Sequence, residues 1–173
     1  MTLTTRNDIA ARREIDLFDG GADVSHRSRR IAEQFSLAKE KQATQNKYNI
    51  QVKEILDDGF QRFTGALQEF LPILCDELNQ EPEIGNILSH KSDGKIFTVT
   101  RSDKGWTMTV KFDDTLHRAV FACDMPVKFR ESVEIKPTTN STAWWLADKN
   151  GSVVGGDGCW VGENAVKALL GIS

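Results

Sequence analysis

No run in the sequence approaches the roughly 18 to 20 consecutive apolar residues of a membrane-crossing helix. Met1 to Phe18 also carry charges where a secretory leader has its apolar stretch. The expectation is a cytoplasmic protein with no membrane partner. Cysteine is scarce: Cys75, Cys123 and Cys159 are odd in number and far apart. That excludes a disulfide framework and predicts free thiols in a reducing compartment. The sequons Asn140-Ser141-Thr142 and Asn150-Gly151-Ser152 then carry no meaning. Histidine is equally sparse, and His26, His90 and His117 have no metal-ligand spacing.

Neither sign of charge dominates. The net charge is −3 with 27% charged residues, which gives no global reason to bind nucleic acid. The cluster His26, Arg27, Arg29, Arg30 reads as solvated helix surface. No G-x-S-x-G, H-E-x-x-H, C-x-x-C or kinase-like set occurs. Gly155-Gly156-Asp157-Gly158 lacks the lysine and hydroxyl of a phosphate loop and reads as a turn into a helix. Asp148 to Cys159 begins like a calcium loop, but Val153 stands where glycine is needed and Cys159 where glutamate is needed. No catalytic residue, metal or cofactor is expected from these patterns.

What the sequence does have is helical periodicity. Val52, Leu56, Phe60, Phe63, Leu67, Phe70 or Leu71, Leu74 and Leu78 recur at three or four, the mark of one buried face. The same alternation runs back from Phe63 through Gly59, Leu56, Val52, Asn49, Gln45, Gln42, Ala38 and Phe35 to Ile31. From Ser28 there is no proline until Pro72. The reading is a long helix, either kinked at Pro72 or broken near Lys39–Asn49, where the seam turns polar. Between Glu54 and Glu83 every charged residue except Arg62 is acidic, which marks a solvated outer face.

At Lys95 the period drops to two. Ile96 to Arg101 and Trp106 to Phe112 flank the turn Ser102–Gly105, with Trp106, Met108, Val110 and Phe112 inward. Further strands are expected over Leu116–Cys123, Val127–Lys136, Thr142–Ala147 and Ser152–Val154, the last two joined by Asp148–Gly151. A short helix over Gly162–Leu170 ends the chain. Ile84, Ile87 and Leu88 read as a last helical turn. The fold class is α+β: a long N-terminal helix on an antiparallel meander of five or six strands, then a short C-terminal helix. Three regions follow: an arm at 1–27, flexible or partly helical; a helical region at 28–91 with a coiled-coil extension; and 92–173, forming one domain with the preceding helix.

Length points to function. From Ser28 to Leu71 a continuous helix is roughly 66 Å long at about 1.5 Å per residue. A strand of six to eight residues covers only about 20 to 27 Å. The upstream part then needs another surface, and a second copy of the chain supplies it most simply. The expected oligomer contacts are Ile31, Phe35, Leu37, Ala38, Gln42, Gln45 and Asn49. Trp144, Trp145 and Trp160 form a candidate ligand or partner surface, since adjacent strand residues point to opposite faces. The leading expectation is a non-enzymatic, intracellular assembly protein acting as a homodimer. Other protein partners would use the arm, through Ile9–Phe18, or a sheet edge. The alternative is a small apolar-ligand binder or modest enzyme with its site between helix and sheet, lined by rings such as Trp106, Phe112, Phe129 and Trp145.

Overall fold

The computed structural model describes residues 20–126, 129 and 132–172. The first helix, α1, spans Gly20–Gln80. It is followed by β1 (Leu88–Ser92), β2 (Ile96–Arg101), β3 (Trp106–Asp113), β4 (Arg118–Asp124), β5 (Ser132–Pro137), β6 (Trp144–Asp148) and α2 (Gly158–Leu170). The architecture is α+β, with six antiparallel strands in sequence order β1-β2-β3-β4-β5-β6. The arm's Ile9–Phe18 segment lies outside the described residues, as do Val127, Lys128, Arg130 and Glu131 of the fourth expected strand. The chain divides into two compact units, residues 1–49 and 50–173.

In the first unit, residues 20–49 are helical throughout, with no break over Lys39–Asn49. In the second unit, the remainder of α1 stays helical across Pro72. Proline there removes one amide donor, the one that would otherwise bond the Gln68 carbonyl. The buried stripe is Phe60, Phe63, Leu67, Leu71 and Cys75, so Leu71 rather than Phe70 faces inward. It packs on Phe97, Val99, Met108, Val110, Val133 and Leu146 of the sheet and on Val161, Ala165, Val166 and Leu169 of α2. These sheet and α2 residues are at most 3% exposed. The alternation in β3 is as the sequence indicates: Met108, Val110 and Phe112 are buried and Lys111 is exposed.

Several boundaries differ from the sequence reading: α1 already includes residues 20–27, ahead of the expected start at Ser28, and β4 and β6 start at Arg118 and Trp144, not at Leu116 and Thr142. Leu88 does not belong to a last helical turn; Leu88–Ser92 is an edge strand paired with β2. Asn79 explains its start. The Asn79 carboxamide donates to the Leu88 carbonyl at 2.7 Å and accepts from the Leu88 amide at 2.9 Å, as a neighbouring strand would. The expected strand Ser152–Val154 reduces to a single bridge, Val153 to Ala147. The C-terminal helix begins at Gly158, not Gly162, because Asp157 caps it by accepting from the Trp160 amide at 3.0 Å. Its far end is closed by Gly171 at φ 78°, and Arg101 Nη1 donates to the Leu170 carbonyl at 2.7 Å. The same guanidinium forks onto Asp103 at 2.8 and 3.0 Å and holds that carboxyl below its ordinary pKa.

At the two sheet edges, Asn79 occupies the outward backbone groups of Leu88, and Val153 bridges Ala147. The rest of β1, Ser89 to Ser92, is exposed.

Candidate interaction surface

Every residue from Val24 to Gln51 is exposed. Among them are Val24 at 66%, Ile31 at 65%, Phe35 at 62% and Leu37 at 57%. Helical residues advance by about 100° each, so Ile31, Phe35, Ala38, Gln42, Gln45 and Asn49 fall within about 80° of arc on one side. Val24 extends this stripe by a further heptad. The seam as read from the sequence stops at Ile31, although Val24 and Ser28 keep the same alternation.

Leu37 does not share that face. Six positions from Ile31, it lies about 120° away round the helix. It heads a second stripe with Lys41, Thr44 and Tyr48, which borders an open depression along the helix. Two side-chain contacts order the seam locally: the Lys39 ammonium sits 5.0 Å from the centre of the Phe35 ring, and Gln45 Nε2 donates to Asn49 Oδ1 at 2.9 Å.

The three tryptophans do not converge on one surface. Trp144 packs toward the core, its ring laid on Gly59 so closely that a β-carbon there would sit 2.6 Å from Cγ. It walls an open groove of about 360 Å³ with Glu54, Ile55, Asp58, Thr142 and Ala143. Trp145 points to the other sheet face and donates its indole N–H to the Pro137 carbonyl at 3.2 Å. Trp160 is 38% exposed on α2, with its ring against Gly156. The rings expected to line a ligand groove are likewise dispersed. Phe112 is buried, Trp106 lies under the Arg101 guanidinium at 5.3 Å, and Phe129 meets Phe121 edge-on at 5.1 Å.

The three thiols are free. Burial, aided by Asp76, pushes the Cys75 thiol up to about 11; burial also raises Cys123. At Cys159 burial comes first, followed by Asp157 and Glu69. Thiols held protonated are poor nucleophiles. Among the described residues, no group of three or more His, Cys, Asp or Glu side chains could hold a metal, and no helix is long and apolar enough to cross a membrane.

Sequence reasoning missed the contact between His117 and Asp57, which lie sixty residues apart. His117 Nε2 is 2.6 Å from Asp57 Oδ1, and its ring meets Phe60 edge-on at 5.9 Å. The histidine adopts φ +47° in the β3–β4 turn, a region costly for a side chain with a β-carbon. Together with His90, which is 3.3 Å from Asp76 and stacked on Phe97, it ties the sheet to residues 57–76 of α1. His117→Ala is expected to lower stability by about 1 to 2 kcal/mol, the lower part of the range for bonds to charged groups because Asp57 is half in water. His117→Gly should lose less, because glycine accepts the positive φ. Urea unfolding of the two variants checks both statements; midpoints equal to wild type would contradict the tie.

No family model, curated protein or solved structure matches this chain.

Proposed function

We propose that this chain acts by association, as a homo-oligomer built through the 24–49 part of α1, and not by catalysis. The observation that carries the reading is the exposed stripe Val24, Ile31, Phe35, Ala38 at coiled-coil spacing. Helices standing alone in water are marginal, because nucleation is costly and most helical stability comes from packing an apolar face. A stripe with large apolar side chains more than half exposed gains by meeting a complementary surface, and a second copy supplies one by symmetry. Both His–Asp pairs join helix to sheet, which gives them a structural role.

Light scattering coupled to size exclusion tests it. At tens of micromolar the wild-type chain is expected at twice 19.4 kDa, and the double variant Ile31→Asp, Phe35→Asp at the single mass with unchanged β-sheet circular dichroism. A strictly monomeric wild type would overturn the reading.

A further inference from the structure

We propose that the second copy lies parallel to the first and in register over Val24–Asn49. This inference rests on the self-association proposed above and adds its direction.

The seam is apolar at its start and amide-bearing at its end. In a parallel, in-register pair each residue meets its own counterpart. Ile31, Phe35 and Ala38 then form apolar layers, and Gln42, Gln45 and Asn49 form layers in which carboxamide meets carboxamide. An amide has two donors and an acceptor oxygen, so such layers can be satisfied across the axis. The bond from Gln45 to Asn49 along the helix occupies only one donor and one acceptor of the two groups. A buried amide at a seam position is also the best-attested device for setting coiled-coil register.

Antiparallel pairing over the Ile31–Asn49 part of the seam sets Phe35 against Gln45 and Ile31 against Asn49. Each such layer puts an amide against hydrocarbon, which costs free energy unless the amide finds another partner. The flanking charges point the same way. Lys39 and Lys41 stand on opposite sides of the Ile31–Asn49 stretch, near its middle. Antiparallel pairing about that middle brings Lys39 to Lys39 and Lys41 to Lys41, two like-charge contacts. Parallel pairing staggers the flanks, so that Lys41 meets Asn46 and Lys39 meets Gln34, with no like-charge contact.

Disulfide trapping in the full chain separates the outcomes. Ser28→Cys and Asn49→Cys are made singly, oxidised with copper-phenanthroline at a concentration where light scattering reports a dimer, and run on non-reducing gels. Wild type serves as the control for the native thiols. Each variant alone is expected to give a covalent dimer within minutes, at least tenfold faster than wild type. If Ser28→Cys links only when mixed with Val52→Cys, while the mass remains that of a dimer, the direction is wrong and the association stands. If dimers form and no seam cysteine links, or if the chain is monomeric, the association through this seam fails as well, and the direction with it.

Discussion

Phe63→Ala is expected to cost about 3 to 5 kcal/mol of unfolding free energy, the range for truncating a fully buried aromatic. Phe63 is 1% exposed and sits where α1 meets both the sheet and α2. Its own backbone carbonyl is the close neighbour of Gly158, so relaxation into the vacated volume is limited from that side. Phe35→Ala is the matched control on the same helix. At 62% exposure it should change stability by no more than about 0.5 kcal/mol when measured below the association concentration. Urea unfolding followed by the emission of the four tryptophans, all of which lie in residues 106–160, reads the core directly. A cost below about 1.5 kcal/mol for Phe63→Ala, half the lower bound for such truncations, would mean that the helix face is not locked against the sheet.

The contrast between those two phenylalanines explains what the sequence could and could not reveal. Periodicity reports which residues share a face, and so the stripe from Phe60 to Leu71 and the alternation of β3 were legible. It does not report what covers the face. Phe35 and Phe63 lie on one unbroken alternation, yet one is in water and the other in the core.

The edge strand β1 is hidden for a different reason. Leu-Ser-His-Lys-Ser has a single aliphatic residue, and its place is set by the Asn79 carboxamide and by His90 stacked on Phe97. Both are tertiary contacts that no local pattern encodes. His117 with Asp57 is the same case across sixty residues. Proximity in sequence groups Leu37 with the seam, and only the angle round the helix separates it. Strand alternation does separate Trp144 from Trp145, one toward the helix and one away. That Trp144 lies on Gly59 follows from how the β5–β6 hairpin meets α1.

Gly158→Ala should destabilise the protein by about 1 to 3 kcal/mol, the usual cost of inserting a methyl into a closed contact. A β-carbon at Gly158 would stand 2.7 Å from the Phe63 carbonyl oxygen and 3.0 Å from Ala66 Cβ. The nearest of these is backbone, which cannot rotate away, so α2 must move off α1. Gly162 repeats the theme one turn later, with Leu67 and Leu71 at 3.2 Å. The glycines that read as turn punctuation are therefore what lets two helices approach, and this is why pattern alone places the helix start at Gly162. Gly65→Ala is the test of sign. Gly65 is inside α1, and a β-carbon added to it would meet nothing within 4 Å, so alanine there should stabilise by about 0.5 to 1 kcal/mol through helix propensity alone. The same substitution is thus expected to move the urea midpoint in opposite directions at two glycines, one pressed against α1 and the other, within α1, facing open space. If both variants were stabilised, the close approach of α2 to the Phe63 carbonyl would be disproved.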